Sequence, residues 1–294
     1  MPFHFRRKES VKKAVRRLCC ERLTDAIEPL NRSVRFEAVH DVRKEIKKLR
    51  AVLRLVRADI GKNAYHGHTH ALRDASDRLT ALRDAEVKLG AFDDLVKQSK
   101  RNGRPFSKIK AALRENCRTE EDKVFKGNSI ASVKGILCHE KQQFDHLKIK
   151  SSGWKAIEPG LKKIYHRGRE ALEAAEREPS PENFHQWRKR VKDLGHQLRL
   201  LGPGRSRKLR AYTNDLDKLG ELLGDDHDLF MLKQFVVGKF GHTPGANVFQ
   251  KLISSRMKKL RSEALKLGRR FYPKKPGRFC RLIEKDWKKW RRWG

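Results

Sequence analysis

A chain of 294 residues has room for one large domain or two ordinary ones, and 71 Lys and Arg against 36 Asp and Glu leave a formal charge of +35. Self-repulsion on that scale opposes compaction, so a folded chain with this balance calls for a polyanionic partner: nucleic acid, polymeric phosphate or an anionic membrane. The five cysteines (Cys19, Cys20, Cys117, Cys138 and Cys280) are odd in number and form no C-x-x-C pair, which excludes a disulfide framework and a zinc ribbon.

Taken in chain order, the apolar residues recur with period 3.6 and strand-like alternation is nearly absent. Breakers fall at "GKN" (61–63), "NGRP" (102–105), "GN" (127–128), "SSG" (151–153), "EPSPEN" (178–183), "GPG" (202–204) and "YPKKPG" (272–277). They predict about ten helices joined by short links, an all-α protein. The first helical stretch, "VKKAVRR" (11–17), has an echo in "LKKIYHR" (161–167). The second, "AVHDVRKEIKKLRAVLRLVR" (38–57), echoes in "NFHQWRKRVKDLGHQLRLL" (183–201), and both carry the frame H-x-x-R-K-x-x-K, with His40 and His185 standing 145 positions apart. Further on, "ALRDAEV" (81–87) matches "LGDDHDL" (223–229) in order. The spacing from Arg17 to His40 is 23 and from Arg167 to His185 is 18, so a loop has changed length within a shared plan. The chain reads as an internal duplication, residues 1–152 and 153–294, folded as two facing helical bundles.

On a wheel at 100° per residue, Lys44, Lys47 and Arg54 lie within about 40° of His40, with Arg43 and Arg50 within about 80°. Val42, Ile46, Leu49, Leu53 and Val56 gather opposite. In the second copy His185, Lys189, Lys192, His196 and Arg199 share a face, Arg188 borders it, and Trp187, Val191, Leu194, Leu198 and Leu201 form the back. A solvated outer face would usually mix signs to gain i,i+4 pairs, whereas these stripes hold cations and histidine, with Glu45 and Asp193 off to the side. The pattern points to a surface for an anion. His40 and His185 each open a helix, where free N–H groups and the dipole favour an anion too. Neighbouring cations should lower the imidazole pKa and a bound phosphate should raise it, so binding is expected to strengthen as pH falls through about 6.5.

Signs of catalysis are missing. There is no Walker-type phosphate loop, and no nucleophile is paired with a base. His66, His68 and His70 in "HGHTH" sit at i, i+2, i+4 without a carboxylate beside them in sequence, so no metal is expected there. Asp225, Asp226, His227 and Asp228 follow Gly224 and read as a cap on the next helix rather than as ligands for a divalent cation. The tail "EKDWKKWRRWG" carries Trp287, Trp290 and Trp293 and reads as a terminal helix docked through its indoles rather than as a membrane anchor. Neither an apolar signal core nor a run of about 18 apolar residues is found, so a soluble cytoplasmic protein without a membrane span is the expectation.

The paired H-x-x-R-K helices, with "YHRGREAL" (165–172), "FHQWRKRVKDL" (184–194), "LLGDDHDL" (222–229) and "KDWKKW" (285–290), resemble the CHAD family, the conserved-histidine α-helical domain. The resemblance covers nearly the whole chain. It implies two helical bundles about a pseudo-twofold with a basic central groove or pore, and binding of inorganic polyphosphate without a cofactor. Carried over by residue, it makes His40, Arg43, Lys44, Lys47, Arg50 and Arg54 phosphate contacts, together with His185, Arg188, Lys189, Lys192, His196 and Arg199. Gly195 stands where the first copy has Arg50, and Arg17 and Arg167 are lesser contributors. The strand-borne carboxylate array of the triphosphatases often fused to this family is missing from the sequence, so a binding protein is expected, at polyphosphate granules or elsewhere in the cytoplasm. The competing reading is a DNA- or RNA-binding protein; it meets the electrostatic requirement, but the stripes carry no aromatic residue for base stacking.

Overall fold

The computed structural model describes residues 3–32, 36–99, 103–202, 206–241 and 243–293. Asn102 of "NGRP" and residues 203 and 204 of "GPG" lie outside them, as does the side chain of Trp293. Among the described residues there are twelve α-helices and no strand: α1 (Val11–Arg32), α2 (Phe36–Leu55), α3 (Arg57–Ile60), α4 (Lys62–Asp77), α5 (Thr80–Gln98), α6 (Ser107–Phe125), α7 (Ser129–Asp145), α8 (Glu158–Arg177), α9 (Pro181–Leu200), α10 (Arg207–Phe240), α11 (Pro244–Phe271) and α12 (Pro276–Trp293). None is long and apolar enough to cross a membrane.

Local chemistry explains most of the boundaries. Gly61 takes φ 84° between α3 and α4. Ser180 caps α9 by accepting the Asn183 N–H at 3.2 Å, and Pro181 supplies a first-turn residue whose missing N–H costs nothing. Ser206 caps α10 in the same way through Leu209. Gly241, at φ 56°, ends α10 ahead of Pro244. One expectation fails: Asp225, Asp226, His227 and Asp228 cap nothing, because α10 runs unbroken through Gly220 and Gly224. Conversely, the break between α4 and α5 at Arg78–Leu79 carries no Gly or Pro to announce it.

Apolar side chains collect in two clusters. The larger joins α1, α2, α4, the start of α5, α7, α8, α9, the first half of α10, the end of α11 and α12. The smaller joins the end of α5, α6, the second half of α10 and α11, around Phe92, Phe106 and Phe249. Adjacencies recur between the chain's two halves: α1 packs on α2 and α7 as α8 packs on α9 and α12, and α5 packs on α6 as α10 packs on α11. The halves meet where α2 touches α9 and α5 touches α10. In α12, Trp287 and Trp290 are buried, with Trp287 set 5.7 Å from Trp154, so this tail is a docked terminal helix.

Gly160, near the start of α8, lies against the end of α2. A Cβ there would stand 1.9 Å from the Leu55 carbonyl oxygen, a backbone atom that cannot rotate away. Gly160→Ala should therefore separate α8 from α2 and destabilise the protein by about 1–3 kcal/mol or more. Urea denaturation of the variant measures it, and an unchanged midpoint would show that the two helices have room to part.

Candidate functional site

Helices α2 and α9 are amphipathic, and their backs are sealed. Val42, Ile46, Leu49, Leu53 and Val56 are fully buried, as are Trp187, Leu194 and Leu198, with Val191 and Leu201 at 1 and 2 % exposure. Burying that many large apolar groups fixes the rotation of both helices and leaves the cationic stripes outside the core. The helices pack on each other near the middle of α9. Arg54 Nη1 meets Asp193 Oδ1 at 2.8 Å, and Gln197 Nε2 donates to the Ala51 carbonyl at 3.4 Å. Across this contact the stripes enter one field: Lys47 feels Arg188 and Lys192, Lys189 feels Arg50, and His196 feels Lys47 and Lys48.

The expected residues differ in what holds them. Lys44, Lys47, Lys189 and Lys192 are exposed, Lys44 with a loose Asp41 contact at 3.7 Å. Arg43 spans to α4 and α5, donating to the Ser76 carbonyl and to Thr80 Oγ1 at 2.6 Å. His185 stacks on His227 of α10, ring centroids 4.1 Å apart. Arg199 pairs with Asp217. His40 is exposed in the second turn of α2, and His185 stands in the second turn of α9, so both lie beyond the free first-turn N–H groups. Arg188 and Lys192 lie over the glycines of α10: a Cβ on Gly220 would sit 3.2 Å from Lys192 Nζ, and one on Gly224 would sit 3.8 Å from Arg188 Nε. Among the described residues, the buried Nε atoms of Arg43, Arg50 and Arg188 and the His185 Nδ1 have no hydrogen-bond partner.

Arg17 is placed differently. Its guanidinium is taken up by Glu9 at 2.7 Å, Glu21 at 3.0 Å and the His4 carbonyl at 3.1 Å. Arg167 is exposed on α8 beside Lys163, within the field of Arg190. Several contributors were missed by the wheel. Arg83 of α5 has the largest effect of any charged group on His40, and it also acts on Arg43 and Lys47. Arg73 of α4 faces Arg50 and Lys189, Arg190 faces Arg54, and Lys48 faces His196. The segment 81–87 that echoes 223–229 contains Arg83, which was the one available signal. Carboxylates were also underestimated, since Asp193 and Asp217 both reach stripe arginines.

Beside the band, α5, α10 and α11 enclose a cleft of about 250 Å³, with Arg83, Asp94, Asp225, Asp228 and Arg256 on its walls. Asp226 turns away, buried against Arg261 at 2.7 Å. In "HGHTH", a carboxylate does approach: His68 Nδ1 lies 2.7 Å from Glu140 of α7 and its ring stacks on Phe144. No group of three His, Cys, Asp or Glu suited to a metal occurs among the described residues.

Titration behaviour follows from desolvation first and neighbouring charge second. Burial, then Lys189 and Arg188, pulls His185 down to about 4. Burial, then Arg199 and Lys192, takes His196 to about 3. His227 falls to about 3 through burial and then His185 and Arg188, and His40 is lowered by desolvation and then Arg83. Lys47 drops to about 8 through desolvation, then Arg188, Arg43 and Arg83. Asp84, Asp225 and Asp228 are raised by burial despite nearby cations.

A family model described as "CHAD domain" matches residues 14–237. Among solved structures, the crystal structure of the CHAD domain from the plant Ricinus communis aligns with a TM-score of 0.65 at 16% identity, over 92% of this chain and 94% of that one. PptA from Streptomyces chartreusis aligns with a TM-score of 0.64 at 12% identity, over 89% and 97%. At such identities the likeness is one of fold. No curated protein matches the sequence.

The histidines make stability depend on pH. Unfolded histidine titrates near 6.5, and the folded values of about 4 and about 3 lie below it, so between them the unfolded chain holds more protons and folding weakens as pH falls from about 6.5. Asp84, Asp225 and Asp228 act with the opposite sign, since a raised carboxyl value favours folding on acidification. Denaturation free energies of wild type and of a His185→Gln/His227→Gln variant, compared at pH 7 and pH 5, isolate the histidines. The wild type should lose more stability than the variant; equal losses would contradict the burial of these rings.

Proposed function

We propose that this chain, which belongs to the CHAD domain family, binds inorganic polyphosphate along a groove formed by α2 and α9, and does so without catalysis. Its contacts are His40, Arg43, Lys44, Lys47, Arg50, Arg54, His185, Arg188, Lys189, Lys192, His196 and Arg199, joined by Arg83, Arg73 and Arg190. Arg167 borders the same region, and Arg17, occupied by Glu9 and Glu21, contributes least.

The observation that carries this reading is the packing of α2 on α9 through Arg54–Asp193 and Gln197–Ala51, which sets exposed Lys47, Lys189 and Lys192 in one band. Desolvation and then Arg188, Arg43 and Arg83 lower Lys47 there to about 8. Unneutralised cations pressed together store repulsion that an anion relieves, and the unpartnered Nε atoms of Arg43, Arg50 and Arg188 are donors suited to its oxygens. A polymer charged at every unit matches two stripes each extending about 20 Å. Nucleic acid fits less well. Phe184 and Trp187 of α9 are buried, and among the described side chains α2 and α9 expose no phenylalanine, tyrosine or tryptophan ring on which a base could stack. The repeated adjacencies support reading residues 1–152 and 153–294 as two copies of one unit, each giving one stripe to the groove. A site in the cytoplasm at polyphosphate granules is the setting this chemistry suits.

Reversing Lys44, Lys47, Lys189 and Lys192 to Glu should abolish polyphosphate binding while circular dichroism keeps its helical signal, because all four side chains are exposed. In wild type, long-chain polyphosphate at low salt should raise the melting temperature, steeply less so as salt increases. It should also displace bound DNA at a lower phosphate concentration than the reverse exchange requires. Retained tight binding in the fourfold variant would move the site elsewhere, and easier displacement by DNA would favour nucleic acid.

A further inference from the structure

The segment before α1 ties the end of α9 to the end of α12. Phe5 is fully buried and its N–H donates to the Leu200 carbonyl at 2.8 Å. Two residues on, Arg7 Nη2 donates to the Arg292 carbonyl at 3.2 Å, and Arg291 Nη2 donates to the Glu9 carbonyl at 2.8 Å. Gly202, just past α9, faces the Trp290 ring, since a Cβ there would stand 3.6 Å from it. The Gly202–Trp290 contact therefore sets the chain just past α9 directly against α12. Phe3 marks the same place from the other side: its ring meets His196 at 6.2 Å and lies 5.6 Å from Lys48 Nζ. The C-terminal end of the cationic band, at His196 and Arg199, therefore opens beside α12.

Helix α12 turns Phe279, Cys280, Ile283, Trp287 and Trp290 inward. What remains outside is a stripe: Arg281, Lys285, Lys288 and Arg292 at i, i+4, i+7 and i+11, with Lys289 next to it. Exposed Arg6, Lys8 and Lys12 continue the charge across the N-terminal segment into α1. The carboxylates nearby are engaged, Glu9 and Glu21 by Arg17 and Glu284 by Lys288. Among the described residues Lys8, Lys12, Lys285, Lys289 and Arg292 form no ion pair. Cations in a last helical turn complement the helix dipole, but Arg281, Lys285, Lys8 and Lys12 lie outside that turn and have no such role. Among the described side chains of α12 the indoles of Trp287 and Trp290 point inward and none of the exposed ones is apolar, which is not the build of an interfacial helix.

We propose that this surface is a second polyphosphate tract: a chain longer than the α2–α9 band leaves it past His196 and Arg199 and continues over the N-terminal segment onto α12, so that the protein selects long chains over short ones. This rests on the polyphosphate reading above and adds chain-length selection to it. Counterion release makes each further bound phosphate strengthen association and steepen its salt dependence, and only a chain that reaches the tract gains those phosphates.

The test is a variant carrying Lys8→Gln, Lys12→Gln, Lys285→Gln, Lys289→Gln and Arg292→Gln, all exposed positions whose loss leaves the core intact. Its affinity is measured against two polyphosphate fractions, one no longer than the roughly 30 Å of a twenty-residue helix and one many times longer. Short-chain affinity should stay at the wild-type value. Long-chain affinity should fall on the order of tenfold, with a log–log salt slope shallower by about 0.7 for every phosphate the variant no longer neutralises. Long-chain affinity and slope both unchanged would overturn the tract, and so would equal weakening for both fractions. Wild-type protein that binds neither fraction would overturn the polyphosphate reading itself, an outcome distinct from either.

Discussion

Like-charge repulsion across the contact between α2 and α9 is the constraint around which the rest of this fold is arranged. Two unit charges 4 Å apart near a protein surface interact by about 4 kcal/mol, and at Lys47 desolvation first, then Arg188, Arg43, Arg83 and Lys192, lower the ammonium to about 8. What holds these groups together is apolar. Ten residues on the backs of the two helices are at most 2 % exposed, and a fully buried residue of that size contributes roughly 1.5–3 kcal/mol. The core thus fixes the rotation of each helix, and the cations have to accept the positions that remain.

Those positions were legible in the sequence because they depend only on helical period. The apolar backs of α2 and α9 separate cleanly from the stripes on a wheel, and a wheel needs nothing beyond residue order. Arg83 was not legible in the same way. It lies on α5, three helices beyond the first stripe, and joins the band only because α5 packs on α2 and α10. The same limit hid the Glu140 carboxylate beside His68, which arrives from α7, and the two glutamates that occupy Arg17. None of these pairings follows from helical period, because a wheel places residues on one helix and says nothing of what another segment brings to it.

Gly224, one turn after Gly220, misled for a more specific reason. A glycine in a helix interior is destabilising by about 1 kcal/mol relative to alanine and usually signals an end. Here both stand one turn apart in the middle of α10, facing the side chains of Lys192 and Arg188. A Cβ at position 220 would crowd Lys192, whose nearest atoms would be 3.2 Å away. Gly220 therefore gives Lys192 its clearance over the neighbouring helix, while at Gly224 the Arg188 side chain lies at ordinary contact distance. Backbone preference and side-chain accommodation pull in opposite directions at these two positions, and the continuity of α10 shows that accommodation prevails.

The carboxylates that border the band give it direction. Asp84 belongs to α5, and Asp225 and Asp228 belong to α10; burial raises all three even though Arg43, Arg83, Arg188 and Arg256 stand near them. Desolvation outweighs the pull of the surrounding cations at each of the three, so these carboxylates are acidic groups set into the side of the band that also carries Arg83. On α2 and α9 the balance is reversed. Lys47, Lys189 and Lys192 are all depressed, and desolvation is reinforced there by neighbours of like sign. On the polyphosphate reading proposed above, the lysines of α2 and α9 would be the attracting side, and the cleft lined by Asp94, Asp225 and Asp228 would be the unfavourable one. The same reading would give a flexible phosphate chain one face to follow, and His196 and Arg199 at the end of that face would be where it leaves.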